Sequence, residues 1–310
     1  PGAVGTPGAT DPNLLIYLNE GSDPKGRLRF TVQRLAVGAV NSCALGDANR
    51  DGRLDLAVGM TNGPNRVFLN RGLRPDGRVM LVDSGWRDPH PPNGVQTTFS
   101  VAWGDMDGDG RLDLAIGSGK MDDDTSHSLQ PDYVYRNETE PGGPLRLTQV
   151  WTNATPLTRA TLNIAWSDLD GDGKVDTLTS AGWDVMLTRI VNGRPAAQPA
   201  ATLTINPADR SWPASKAVID WGDMDGDGRP DLAVGVPVEG ARAAPLRVYR
   251  NDPAQGLLAQ PVWTSIVADY ASSVAWGDVD NDGDPDLAVG YTHRPVELYL
   301  NNGALLDRQP

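Results

Sequence analysis

Five stretches of this chain align without a gap: LGDANRDGRLDLAVG from Leu45, WGDMDGDGRLDLAIG from Trp103, WSDLDGDGKVDTLTS from Trp166, WGDMDGDGRPDLAVG from Trp221 and WGDVDNDGDPDLAVG from Trp276. Their first aspartates, Asp47, Asp105, Asp168, Asp223 and Asp278, are 58, 63, 55 and 55 residues apart. A fixed period means that each repeat is one supersecondary unit that buries its core only against its neighbours. This spacing is too long for a helical pair and suits a unit of four strands.

Strand signals recur in one order inside each period. A short run precedes the aspartates, as in Ser100-Val101-Ala102-Trp103, and a second follows them, as in Asp113-Leu114-Ala115-Ile116-Gly117. A third is aromatic and β-branched and stops at Asn70, Asn137, Asn251 or Asn301; a fourth commonly ends in Trp, with Trp86, Trp151 and Trp263 in corresponding places. Short runs punctuated by Gly, Pro and Asn, without sustained helical periodicity, predict an all-β fold. Four antiparallel strands per repeat, arranged about a centre, predict a β-propeller with repeats starting near residues 42, 100, 163, 218 and 273.

Residues two apart in a strand share a face. Cys43, Val101, Ile164, Ile219 and Val274 therefore share one with Leu45, Trp103, Trp166, Trp221 and Trp276, so each blade is expected to present an aliphatic and a large residue to its neighbour. Cys43, the one cysteine, reads as a small buried hydrophobe and allows no internal disulfide. Between these positions stands Ala44, Ala102, Ala165 or Ala275, but Asp220 in the fourth repeat, either a buried carboxylate paired with a neighbouring donor or a residue facing the central channel.

The aspartates carry the chemistry. In Asp105-Met106-Asp107-Gly108-Asp109-Gly110-Arg111-Leu112-Asp113, oxygen donors fall at loop positions 1, 3, 5 and 9, with Gly at 6. Ca²⁺ takes six to eight hard oxygen ligands, and Gly at 6 permits the turn that wraps them round the ion. The other loops repeat the set: Asp47, Asn49, Asp51, Asp55; Asp168, Asp170, Asp172, Asp176; Asp223, Asp225, Asp227, Asp231; and Asp278, Asp280, Asp282, Asp286. Position 7 adds a backbone carbonyl, from Arg53, Arg111, Lys174, Arg229 or Asp284. Crowding these carboxylates without a cation would be repulsive, so about five Ca²⁺ per chain are expected. An EF-hand is excluded, since it needs a Glu at position 12 and flanking helices. Here position 12 holds Val58, Ile116, Thr179, Val234 and Val289, in predicted strands.

The motif D-x-D-G-D-G-x-x-D-L-A-V-G in a repeat of this length resembles the FG-GAP/VCBS family, the calcium-loop propeller repeats also found in integrin α-subunits. The resemblance spans essentially the whole chain. It implies that the calcium loop joins the first and second strands of a blade, and that binding surfaces lie on the opposite face, in loops after the second and fourth strands. The third repeat departs most, with Ser167 for Gly and Thr177-Leu178-Thr179 in its second strand.

Charge agrees with the loop reading. The chain has 27 Lys+Arg and 40 Asp+Glu, a formal charge of −13, and 19 of those acids are Asp at positions 1, 3, 5 and 9. Five Ca²⁺ would bring the charge to −3. An acidic chain repels phosphate backbones, which argues against nucleic acid and anionic membrane surfaces as partners. No run of 18 apolar residues exists, which argues against membrane insertion as a helix.

At the N-terminus, residues 14–19 match a third strand and 28–32 a fourth, a partial repeat over 13–37. The last repeat is expected to lack its fourth strand, and residues 28–34 are placed to complete that blade. Alternatively, residues 1–310 are a window of a longer propeller, which the mid-repeat start favours. Unpaired strands in either case offer a route to self-association.

No G-x-S-x-G or phosphate loop appears, and His90, His127 and His293 share no motif, so a non-enzymatic reading is preferred. The expected function is a calcium-stabilised binding or adhesion module, extracellular or at the cell surface, for a protein or a glycan. A structural segment of a large surface or filament protein, and a carbohydrate-active enzyme, are the alternatives. One pointer to a binding face is the insertion 118–131, with Met121-Asp122-Asp123-Asp124, expected to be a peripheral loop.

Overall fold

The computed structural model describes residues 13–22, 28–61, 63–89, 97–119, 131–153, 161–181, 184–204, 217–235, 244–269, 271–292, 294–303 and 306–308, and these hold strands and no α-helix. The β-branched and aromatic runs become strands in the expected order. A two-stranded N-terminal hairpin, β1 (Asn13–Ser22) with β2 (Leu28–Ala36), precedes five four-stranded sheets. Blade 1 comprises β3 (Val40–Gly46), β4 (Asp55–Met60), β5 (Arg66–Leu73) and β6 (Val79–Arg87). Blade 2 comprises β7 (Thr97–Gly104), β8 (Asp113–Gly119), β9 (Tyr133–Asn137) and β10 (Leu147–Thr152). In blade 3 the strands are β11 (Asn163–Ser167), β12 (Thr177–Ala181), β13 (Asp184–Arg189) and β14 (Ala201–Thr204). Blade 4 has β15 (Val218–Gly222), β16 (Asp231–Gly235) and β17 (Pro245–Tyr249); a small hairpin, β18 (Asn251–Asp252) with β19 (Gly256–Leu257), then precedes its fourth strand β20 (Trp263–Ala268). Blade 5 comprises β21 (Ala271–Gly277), β22 (Asp286–Tyr291), β23 (Glu297–Asn301) and β24 (Leu306–Arg308). Each sheet is an antiparallel meander, and the sheets remain separate ladders, as in propeller blades.

The core lies between blades. Strands β4, β8 and β16 are buried along their whole length, because both of their faces are covered, β8 and β16 by neighbouring blades and β4 by blade 2 and by Leu14 and Leu35 of the N-terminal hairpin. Between blades 1 and 2, Ala57, Val67 and Leu69 pack with Leu114, Ile116, Tyr133 and Tyr135. Burying each Leu, Ile or Val of this kind contributes about 1.5–3 kcal/mol. In three of the five repeats the Trp two residues before the loop wedges against a glycine of the preceding blade: Trp103 on Gly46, Trp166 on Gly104 and Trp276 on Gly222, leaving no room for a Cβ at those glycines. The indole N–H groups of Trp166 and Trp276 donate to the carbonyls of Ala102 and Asp220. Asp220 also accepts the backbone N–H of Trp276 at 2.8 Å, so it is a tie between blades 4 and 5.

Several expectations are corrected. The last blade does not lack a fourth strand: β24 pairs with β23 through Tyr299↔Arg308, Leu300↔Asp307 and Asn301↔Leu306. Nor do residues 28–34 complete that blade; β2 pairs with β1, Leu14↔Leu35 through Asn19↔Phe30, since the two are adjacent in sequence and one turn apart. Leu45 is not covered by a neighbour and is 63% exposed, because the two-stranded hairpin offers no first strand for it to pack on. At the far end Gly277, the counterpart of Gly46, Gly104 and Gly222, has nothing against it. Trp263 begins β20 instead of ending it.

The gapless alignment fails in the third repeat. Gly104 pairs with Asp113 in blade 2, but Ser167 pairs with Thr177 in blade 3, one residue further on. With Thr at the place of Leu114, the strand slips by one so that Leu178, fully buried, fills the core instead. A one-residue slip exchanges the faces of every side chain, so burial fixes the register. Ser118 and Gly119 belong to β8; residues 120–130 of the insertion, and His90, His127 and His293, lie outside the described residues.

Candidate metal centres

Each acidic loop joins the first and second strands of its blade. The loop folds around its position-1 carboxylate: Asp47 accepts the N–H of Asp51 at 3.0 Å and of Gly52 at 2.8 Å, and Asp105 accepts those of Asp109 and Gly110 at the same distances. Asp168 and Asp223 accept the same pair, and Asp278 that of Gly283. The N–H of each position-7 residue, Arg53, Arg111, Lys174, Arg229 and Asp284, donates to the position-5 carboxylate. Such tight curvature needs left-handed backbone at two positions. Position 6 is Gly in every loop, at φ between 80° and 99°; position 4 is also left-handed, at Arg50, Gly108, Gly171, Gly226 and Asn281. The glycine at position 6 is legible in the sequence; the left-handed backbone at position 4, where Arg50 and Asn281 also stand, is not.

Carboxylates converge. Oxygens of Asp105, Asp107 and Asp113 lie within 4.8 Å of one another, as do those of Asp168, Asp170 and Asp176, of Asp223, Asp225 and Asp231, and of Asp278, Asp280 and Asp282. Loop 1, with Asn49 at position 3, forms no such acidic triad among the described residues. Asp109 and Asp227 stand apart from their triads, and Asp51 is likewise drawn to an arginine: Arg53 pairs with Asp51, Arg111 with Asp109, and Arg250 reaches both Asp225 at 2.7 Å and Asp227 at 3.4 Å. Arg136 pairs with Asp107 at 3.0 Å. Among the described residues no basic side chain pairs with the carboxylates of loops 3 and 5.

The donor set suits a hard cation. Asp107 and Asp225 each turn one oxygen to an arginine, while the other, Oδ1, is buried without a hydrogen-bond partner. An orphaned carboxylate oxygen is costly in a protein interior and is what a cation would satisfy. Burial pushes Asp113 up to about 7 and Asp231 to about 6, against opposing N–H bonds from the backbone, and it raises Asp55 and Asp107 as well. Holding these groups ionised at once calls for positive charge in the loop.

Position 9 is a hub that the sequence reading only half described. Its buried carboxylate accepts the N–H of loop position 2 and the N–H of the Asn ending the third strand: Ala48 and Asn70 on Asp55, Met106 and Asn137 on Asp113, Met224 and Asn251 on Asp231, Val279 and Asn301 on Asp286. Asp176 differs. It accepts Leu169 and Asp170, and the place of the Asn is taken by Ile190, whose N–H goes to the Asp176 backbone carbonyl. The recurrence of Asn at the end of the third strand was the signal, and so was the Arg just before it in repeats two and four. Asn137 is fully buried with its amide N–H spent on Ala48 and Leu112 carbonyls, so the Asn137-Glu138-Thr139 sequon is closed to a glycan in the folded chain.

A family profile described as FG-GAP-like repeat matches residues 47–116 and 223–289. Integrin alpha-5 of Xenopus laevis is 26% identical over 219 residues, 66% of this chain and 20% of that protein. Cartilage acidic protein 1 is 27% identical in Xenopus tropicalis and 28% in Homo sapiens, each over 145 residues, 45% of this chain and 20% of the relative. The chain thus spans about a fifth of the length of the curated relatives it matches. Among solved structures, an Agrocybe aegerita lectin described as recognising non-reducing terminal N-acetylglucosamine superposes with a TM-score of 0.57 at 17% identity, over 97% of this chain and 79% of that one. Sqt1 from Chaetomium thermophilum follows at 0.53 and 15%, over 90% and 61%. These superpositions carry the fold alone. Repeated loops and profile agree that residues 47–116 and 223–289 are FG-GAP-like repeats, and through such repeats the chain is similar to integrin alpha-5 and cartilage acidic protein 1.

Proposed function

We propose that the chain is a calcium-stabilised adhesion-type module, extracellular or at the cell surface, that binds a protein or a glycan and is not an enzyme. The observation that carries this reading is the five-fold recurrence of one loop geometry, with converging carboxylates in four of the loops and orphaned buried oxygens in two. Asp at positions 1, 3, 5 and 9, or Asn49, would hold the ion with the position-7 carbonyl, and the ion would supply charge balance and rigidity. The kinship with integrin alpha-5 and cartilage acidic protein 1 supports an adhesion-type role and an extracellular setting. A glycan array and a capture assay against matrix proteins, each run in calcium and after metal stripping, test it. Saturable binding of one class supports the module; binding to neither, with a turnover of polysaccharide, would favour the enzyme alternative.

A second reading, a structural segment that associates through its terminal blades, is favoured by the two open ends. Tyr17 occupies the place of Phe68, Tyr135, Tyr249 and Tyr299, all buried, yet is 57% exposed, and Gly277 stands uncovered at the other end. Sedimentation across a hundredfold concentration range should then show association; a concentration-independent monomer would remove this reading.

A further inference from the structure

Four of the five blades carry an asparagine at or near the end of the third strand, and in three of them its side chain reaches beyond its own loop. The Asn137 side-chain amide donates to the carbonyl of Ala48, position 2 of the preceding loop, at 2.7 Å. Asn251 reaches Leu169 at 2.6 Å and Asn301 reaches Met224 at 2.7 Å, again position 2 of the preceding loop. Those position-2 residues are the ones whose N–H groups bind the position-9 carboxylate of their own loop. The backbone N–H of each asparagine binds the position-9 carboxylate of the next loop. A continuous set of hydrogen bonds therefore runs from Asp55 through Ala48 and Asn137 to Asp113. Another runs from Asp176 through Leu169, Asn251, Asp231, Met224 and Asn301 to Asp286. All three asparagines are buried, so water does not compete for these bonds.

The set is broken at one place. Blade 3 carries Ile190 where the asparagine would stand, and Ile190 packs against the apolar cluster that includes Met106, position 2 of loop 2. Loop 2 and loop 3 are thereby left without the bridge that joins loops 1 and 2, 3 and 4, and 4 and 5. Asn70 holds the same place in blade 1 with no loop before it, and its amide goes only to Leu54 of its own loop.

We propose that Asn137, Asn251 and Asn301 are positioning residues that couple cation binding between neighbouring loops, so that the five loops fill as two cooperative groups, 1–2 and 3–5. This rests on the calcium reading above. Ordering a loop round its ion fixes the position-9 carboxylate and the position-2 peptide, and the asparagine, held by both, passes that order to the adjacent loop. Coupling of this kind is reciprocal, and a factor of about five per pair lies at the lower end of the usual range.

The test is hydrogen exchange of the full chain, metal-stripped and then titrated with calcium chloride, read by mass spectrometry at peptides from each loop. Loop 4 is disabled with Asp225→Asn and Asp227→Asn. The protection midpoints of loops 3 and 5 should then move about fivefold to higher calcium, while loops 1 and 2 stay put. Adding Asn301→Ala should abolish the shift at loop 5 and keep that at loop 3. Asn70→Ala, which lacks a preceding loop, should alter loop 1 alone; this control separates coupling from a general structural loss. Unchanged midpoints at loops 3 and 5, or an equal shift at loop 2, would overturn the coupling while leaving calcium binding in place. A chain in which no loop gains protection from calcium would overturn both. Should Asn301→Ala fail to fold, the comparison of loops 3 and 5 with 1 and 2 in the loop-4 variant still decides.

Discussion

Replacing Gly222 with alanine tests how the blades are held together. A Cβ at this position would lie 2.8 Å from both Cβ and Cδ1 of Trp276, inside van der Waals contact. Trp276 has little freedom to yield: its backbone N–H is held by Asp220 at 2.8 Å and its indole N–H by the Asp220 carbonyl at 3.3 Å, both on the strand that carries Gly222. Relief requires blades 4 and 5 to separate by several tenths of an ångström or the indole to leave its site. Overpacking of this kind costs about 1–3 kcal/mol, and the doubly tethered indole places Gly222→Ala near the top of that range. The matched control is Gly277→Ala, the same position one blade on, where nothing lies within 4 Å of the new methyl. An exposed strand Gly→Ala change is worth a gain of about 0.5–1 kcal/mol at most. Denaturant unfolding of the two variants beside the parent chain should therefore give opposite or clearly unequal shifts of midpoint. Equal shifts would show that the Trp-on-Gly wedge does not hold blades 4 and 5 together.

Two further outcomes follow from the geometry. Trp263→Ala removes an edge-to-face contact with Tyr299, 5.1 Å between centroids, and the indole bond to the Leu306 carbonyl; it should cost on the order of 3 kcal/mol, measured by denaturation, and release exchange protection of β24 first. Burial raises Asp113 to about 7 and Asp231 to about 6 from 3.8, so the metal-stripped fold binds more protons than the unfolded chain between those values. Its stability should thus fall as pH rises from about 4 to about 7, whereas the calcium-loaded chain should gain over the same range as protons cease to compete; denaturation midpoints at pH 5 and 7.5 in each state check the sign.

The five loops and the order of strands within a blade were legible because both are local: ligand spacing, turn glycines and alternation are written in contiguous residues. What failed was non-local. Whether residues 28–36 pair with 13–22 or with the last blade depends on which partner is nearer in the folded chain, and Leu28–Ala36 carries the alternation for either. The one-residue slip at Leu178 hid behind a perfect ungapped match, since core demand for a leucine outranked motif position. Leu45 looked like its tryptophan counterparts and differs only because the neighbour it would touch has two strands. In the loops, position-1, -3 and -9 aspartates of loops 2, 3 and 4 converge as the spacing suggested. Arg136, Arg250 and the bridging asparagines arrive from a strand more than 20 residues away and carried no ligand signature of their own.

Calcium held in the repeated loops should stabilise the fold by an amount that can be worked out. Extracellular calcium modules bind with Kd of roughly 10⁻⁴–10⁻³ M, so at about 1 mM free ion and a Kd of about 0.1 mM each site contributes about 1.4 kcal/mol. Five such sites supply about 7 kcal/mol, comparable with the whole stability of a typical domain, about 5–15 kcal/mol. A thermal melt of the full chain in 1 mM calcium and in excess chelator, with bound metal counted on the same sample, measures this directly. About five calcium ions per chain and a melting temperature lowered by many degrees on chelation are expected. Coincident melts, or a chain that carries no calcium at saturation, would contradict this.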